Sequence, residues 1–226
     1  MRLYLVRHGE TYLNKYKRMQ GWADTPLTDA GIEMARECGE HLKQYPITQM
    51  ITSDMGRTIQ TGNEIAKVLG LKSDIKQIPA FRETFFGYYE GADADQAWTD
   101  VAQKNGFALV GELYQSAKIS DIENCFHKAD PTGDAEDYYT FMSRVIAGLE
   151  QVEATYDKGD HIVIVTHGNT IRNLACYVDP SVNPTEQLVN AGVSIIEIAD
   201  GTRNLISYNI KPNDTWRLSD EVSTTD

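Results

Sequence analysis

The chain is short of several things that would assign it to a common class. Cysteine is scarce, with Cys38, Cys125 and Cys176 widely spaced and no C-x-x-C pair among them. An odd, scattered set argues against a disulfide framework or a thiolate metal site and suits a reducing cytoplasm. Long apolar runs are missing too. The stretch from Met1 to Val6 meets Arg7 before it could form a signal-peptide core, and no later segment could span a bilayer, so a cytoplasmic protein is expected. Positive charge is in deficit, 21 Lys and Arg against 33 Asp and Glu, for a formal net charge of −12. Nucleic acids and anionic membranes are held by clustered Lys and Arg, which excludes a general binder of either. There is no internal repeat and no low-complexity tract.

What is present is a globular composition, 41% apolar and 24% charged over 226 residues. Arg2 to Val6 reads as a buried strand. Thr28 is a candidate N-cap for a helix marked by Ile32, Ala35, Gly39 and Leu42, and Met50-Ile51-Thr52 is a brief strand. Met55, Ile59, Gly62, Ala66 and Leu69 form one face of a second helix that Gly70 can end. Further on come a helix through Tyr138, Phe141, Val145, Leu149 and Val152, a strand from His161 to Thr166, and a helix through Ile171, Leu174, Ala175 and Val178. Val193 to Ala199 and Leu205 to Ile210 read as paired strands joined through Asp200-Gly201. This alternation predicts an α/β three-layer sandwich with a mostly parallel central sheet flanked by helices, whose ligands bind at the carboxyl ends of the strands. Residues 1–218 are expected to form a single domain, with 219–226 as a frayed acidic tail. Residues 91–137 break the rhythm, since their apolar residues are scattered among Gly106, Gly111, Pro131 and Gly133. They read as an insertion folded over the sheet edge, an inserted lid over the active site.

Four places carry chemistry. In Leu5-Val6-Arg7-His8-Gly9-Glu10-Thr11, with Asn14 following, an arginine and a histidine sit where a strand opens into a glycine turn. At His167-Gly168-Asn169 a second strand opens into a helix whose first amides and dipole favour an anion. Arg57 lies in the first turn of a helix, a poor place for a cation unless something such as phosphate holds its fork. From Phe81 to Gly91, Glu83 and Glu90 sit among five aromatics, surroundings that raise a carboxyl pKa toward that of a general acid. Each alone fits a surface arginine, a histidine satisfied by backbone, or a glutamate beside an aromatic cluster equally well.

Together they resemble the histidine phosphatase superfamily, the phosphoglycerate mutase-like proteins. The R-H-G-E-T-x-x-N start, the arginine in S-x-x-x-R-x-x-x-T, the acid in L-R-E-x-x-x-G-x-W-E-G and the later H-G occur in the family order from Arg7 to about Arg172. Gln20-Gly21-Trp22 and Pro26-Leu27-Thr28-x-x-Gly31 agree. Met34, Thr58, Phe81 and Tyr89 depart from the usual Gln, Ala, Leu and Trp, at no charged position.

The resemblance implies that His8 is the nucleophile, forming a phosphohistidine with its other ring nitrogen held by a backbone carbonyl. Arg7, Arg57 and His167 would keep His8 neutral and bind phosphoryl oxygens, together with Asn14, Gln20, Gly21 and Gly168. Glu83 would be the general acid and base, and no metal or cofactor is implied. Mutases of the family bring arginines from the segment corresponding to 91–137, yet this chain has no arginine between Arg82 and Arg144. From Glu90 to Asp137 it carries eleven acids and three lysines. A lid of net charge −8 is a poor clamp for a doubly anionic substrate, unless these acids only solvate an exposed segment. The expectation is a phosphatase acting on a small phosphorylated metabolite, ahead of mutase-type phosphoryl transfer and of a non-catalytic binding protein on the same fold. A zinc hydrolase built on His8 and His167 lacks ligand spacing. The substrate and the oligomeric state are not legible.

Overall fold

Strands and helices alternate because short runs buried on both faces give way to stretches with one apolar stripe. The computed structural model describes residues 1–71, 74–116 and 118–212. Along them run β1 (Arg2–Arg7), α1 (Tyr12–Lys15), α2 (Asp29–Leu42), β2 (Gln49–Thr52), α3 (Gly56–Leu69), β3 (Lys76–Gln77), α4 (Ala94–Lys104), α5 (Val110–Ser116), α6 (Ile119–Ala129), α7 (Tyr138–Thr155), β4 (His161–Thr166), α8 (Gly168–Val178), β5 (Val193–Ala199) and β6 (Thr202–Ile210). The tail at 219–226 lies outside the described residues. None of the described helices is long and apolar enough to cross a membrane.

The strands form one sheet in the order β3-β2-β4-β1-β5-β6. The first four run parallel, and β5 and β6 add antiparallel partners beyond β1. Successive side chains divide the core. Leu3, Leu5, Ile162 and Ile164 meet Phe141 and Leu149 of α7 and Ile171 and Leu174 of α8. Tyr4, Val6, Val163 and Val165 meet Ala35 and Leu42 of α2 and Ile65 of α3 on the other face. Each fully buried aliphatic side chain contributes about 1.5–3 kcal/mol, enough to hold helices to both faces. The result is the mostly parallel α/β sandwich that the alternation predicts. The hairpin turn also forms as expected, with Asp200 and Gly201 at φ 50° and 77°.

The segment 91–137 folds into α4, α5 and α6, and lines a cavity that Arg7, His8 and Gly168 line from the carboxyl ends of β1 and β4. Its apolar residues look scattered because they converge only in three dimensions. Val101, Leu113 and Phe126 pack on Phe86 and Tyr89, which lie outside the segment, in a cluster separate from the two that flank the sheet. The two-residue β3 was not anticipated, since Lys76 and Gln77 are both exposed and carry no apolar signal.

The topology places the site. α2 follows β1 onto one face and α8 follows β4 onto the other, so a crevice opens between these neighbouring strands at their carboxyl ends. The last paired residues are Arg7 and Thr166, so His8 and His167 each emerge one residue further on. The loop after His8 is locked against α2. A Cβ on Gly31 would fall 2.1 Å from the Glu10 carbonyl oxygen, and one on Gly9 would fall 2.3 Å from the Gly31 carbonyl oxygen. Gly31→Ala should therefore lower stability by about 1–3 kcal/mol despite its better helix propensity. Denaturant unfolding measures this, and an unchanged midpoint would show that loop and helix are not locked.

Candidate active site

His8 leaves β1 with its backbone N–H on the Thr166 carbonyl of β4 and its side chain only 3% exposed. Nδ1 donates to the Gly9 carbonyl oxygen at 2.8 Å. That fixes the tautomer and leaves Nε2, which meets no partner among the described residues, for the cavity His8 lines. Burial first, then Arg57 and Arg7, hold the His8 pKa well below the ordinary histidine value. The ring is therefore a neutral base, as a nitrogen nucleophile must be.

His167 stands 5.4 Å from His8 between ring centroids. An arginine only donates, so the 2.9 Å contact from Arg57 Nη2 makes His167 Nδ1 an acceptor, and Nε2–H then donates to Ser53 Oγ at 2.9 Å. Burial and Arg57 depress its pKa as well. His167 is thus neutral here rather than one of a set of cations, and both its nitrogens are engaged by protein.

Arg57 sits in the first turn of α3 with no exposure to solvent. Protein acceptors, not an open phosphate site, hold its fork. Nη2 donates to the Gly21 carbonyl at 2.7 Å, and Nη1 donates to the Ala23 carbonyl at 3.0 Å and to Asp24 Oδ1 at 2.9 Å. Arg7 is held through Nη1 by the Leu188 carbonyl, and burial lowers its pKa to about 10. A Cβ on Gly168 would make only ordinary contact with it, 3.4 Å from Arg7 Nε.

The amino end of α8 does take an acidic group, and that group is the Glu83 carboxyl. Glu83 Oε2 accepts from Asn169 N–H at 2.9 Å, and Oε1 accepts from Thr170 N–H and Thr84 N–H at 3.1 Å each. Burial raises its pKa, against the Asn169 amide, Arg57, the Thr84 amide and Arg7. The cause is desolvation as a whole rather than aromatic neighbours alone.

The cavity measures about 540 Å³. Of the residues singled out in the sequence, Arg7, His8, Asn14, Gln20, Glu83 and Gly168 line it, whereas Arg57, His167 and Gly21 stand behind. Three buried donors of this set, Arg7 Nε, Arg57 Nε and Gln20 Nε2, have no acceptor among the described residues. Lys17, Arg18, Asn169, Arg172 and Glu123 also line the cavity and were not anticipated. Arg172 lies three residues beyond Asn169 on one helix face, a spacing that could have pointed to it. Among the described residues no group of three or more His, Cys, Asp or Glu could hold a metal ion.

The acids of 90–137 are largely occupied within the chain. Glu90 accepts from the amides of Gly21, Trp22, Ala23 and Phe86, Asp130 from those of Thr132, Asp134 and Ala135, and Asp93 and Asp137 cap α4 and α7. Of the eleven, only Asp95 and Glu123 line the cavity. The net charge of this segment is therefore a poor measure of the field a substrate meets. The tautomers give a direct test: ring-nitrogen NMR should show Nδ1–H on His8 and Nε2–H on His167, with neither ring protonating as the pH falls through 6.5. An ordinary titration of either would contradict this arrangement.

The profile described as Histidine phosphatase superfamily (branch 1) matches residues 3–211. A crystal structure of phosphoglycerate mutase from Bacillus anthracis is similar at 34% identity and TM-score 0.89, covering 93% of each chain. Phosphoglycerate mutase-like protein 4 of Arabidopsis thaliana is 28% identical over 89% of this chain and 81% of its own. A mycobacterial glucosyl-3-phosphoglycerate phosphatase, solved with VO3, shares the fold at TM-score 0.74 and 22% identity, over 92% of this chain and 98% of that one. A match over nearly the whole length, with two histidines at the carboxyl ends of adjacent strands, means that this chain belongs to the histidine phosphatase superfamily.

Proposed function

We propose that this protein is a phosphomonoester hydrolase that works through a phosphohistidine on His8, with no metal or cofactor. The observation that carries the reading is a neutral imidazole with a free Nε2 on a cavity beside buried N–H donors that lack acceptors. Unpaired buried donors are costly, and a phosphoryl group supplies the missing acceptors.

In the first step the Nε2 lone pair attacks phosphorus, the ester P–O bond breaks, and protonated Glu83 gives its proton to the departing oxygen. In the second, Glu83 takes a proton from water as that oxygen attacks phosphorus and the P–N bond breaks, which restores His8. Arg7, Arg57 and Gln20 offset charge on the equatorial oxygens, the role a metal often fills. Residues 91–137 act as a lid over the leaving group.

Hydrolysis is favoured over transfer because the wall contributed by 91–137 has acids and aromatics but no arginine or lysine on the cavity. One observation supports the second reading, mutase-type transfer: Lys17, Arg18 and Arg172 reach the cavity from other elements and could hold a second anionic group. A phosphomonoester panel assayed with chelator, alongside 3-phosphoglycerate with and without 2,3-bisphosphoglycerate, separates the two. Phosphate release should outpace isomerisation, and the reverse would overturn the hydrolase reading. Glu83→Gln should slow alkyl phosphates by about 10²–10⁴-fold and activated aryl phosphates far less. Equal damage to both would remove Glu83 from the acid role.

A further inference from the structure

The stretch of chain that carries Glu83 has no ladder to hold it. Residues 82–86 lie between two short helical turns and belong to no strand, so their main-chain groups need partners from side chains. Arg144 of α7 supplies several of them. Its Nη1 donates to the carbonyls of Ala80 at 3.0 Å and Arg82 at 2.8 Å, and its Nη2 donates to that of Glu83 at 2.7 Å. Glu136, just before α7, takes the rest of the fork, accepting from Nε and from Nη2 at 2.7 Å each. All five N–H donors of the guanidinium are thereby spent on this stretch and its brace.

Glu136 does more than balance the charge. Its Oε2 also accepts the Phe85 N–H at 2.9 Å, and its own N–H donates to the Phe85 carbonyl at 2.9 Å. Arg144 lies over the ring of Phe141 at 4.9 Å, and Phe141 is fully buried in the core between α7 and the sheet. The fork is therefore fixed to the core, and the chain on either side of Glu83 is fixed to the fork. Trp22 Nε1 gives the Glu83 carbonyl its second donor at 3.0 Å, and Thr166 Oγ1 of β4 donates to the Phe81 carbonyl at 2.7 Å. Neither Arg144 nor Glu136 lines the cavity.

We propose that Arg144 is a positioning residue for the general acid: its fork, braced by Glu136, sets the main chain at Glu83 so that the carboxyl group held by the amides of α8 stands where the leaving oxygen needs a proton. The inference rests on Glu83 being the general acid. The carboxyl group is anchored at one end by Asn169 N–H and Thr170 N–H, and the main chain at the other by Arg144. A shift of the main chain has to pull the side chain off those amides or turn it. Proton transfer works only within hydrogen-bond reach, and a misplacement of about 1 Å costs about 10²-fold in rate. A lysine at 144 would keep the charge but not the planar fork that spans three carbonyls and a carboxylate.

Arg144→Lys should lower kcat for an alkyl phosphate by about 10- to 100-fold and leave an activated aryl phosphate, whose leaving group needs no proton, within about threefold. In a Glu83→Gln background the same change should cost the alkyl phosphate little more, because residues that act as a unit are not additive. Glu136→Gln loosens the brace and leaves Arg144 in place, so it should show the same selectivity in weaker form, and it carries the comparison if Arg144→Lys does not fold. An equal fall for both substrates, a full further loss on top of Glu83→Gln, or unchanged alkyl turnover would overturn the proposal, the first two making Arg144 a general brace of the fold. Glu83→Gln alone separates the two readings. Equal damage to both substrates there removes the general-acid role and this inference with it, whereas a selective Glu83→Gln beside an unselective Arg144→Lys overturns the inference alone.

Discussion

A guanidinium with no contact to water needs acceptors for its donors, and the way the two terminal nitrogens of Arg57 find theirs organises the site. Its two terminal nitrogens reach three groups in the 21–24 loop and one nitrogen of His167. The loop is thereby tied to α3, the His167 tautomer is chosen, and Ser53 beyond it receives the remaining ring hydrogen. The same buried charge disfavours protonation of both histidines. One side chain that does not line the cavity therefore joins burial in keeping both histidines neutral.

The framework is legible in the sequence because strand burial and helix stripes are local signals. β1 and β4 are continuous apolar runs, and a histidine directly after each one needs only parallel, in-register pairing to become a neighbour of the other. The role of Arg57 is less legible. Its position in a first helical turn signals that something holds it, and the acceptors turn out to be two carbonyls and a carboxylate 33 to 36 residues away in the chain, which no spacing rule could supply. Likewise the amino end of α8 reads correctly as an anion site, but its occupant is a side chain from a loop 86 residues earlier.

Residues 91–137 were hardest to read, for two physical reasons. Their helices are short and draw their core from Phe86 and Tyr89 outside the segment, so no internal period announces them. Their charge is also misleading when summed. Asp130 satisfies backbone amides, Asp93 and Asp137 cap helices and Glu136 grips Arg144, so much of the negative surplus is spent on local geometry. Glu123 is the most deeply buried of these acids, at 2% exposed, and burial is something a sequence does not print.

The apolar cluster beneath α4, α5 and α6 shares no residue with the two that clamp the sheet. Substitutions in that wall therefore act on a satellite core, while His8, His167 and Arg57 stay anchored to strand ends and α3. Mutations at distant, independently packed sites combine almost additively. Such a scaffold is evolvable in a specific sense: the cavity wall contributed by 91–137 can drift, residue by residue, without passing through sequences in which the half that carries His8, His167 and Arg57 has collapsed.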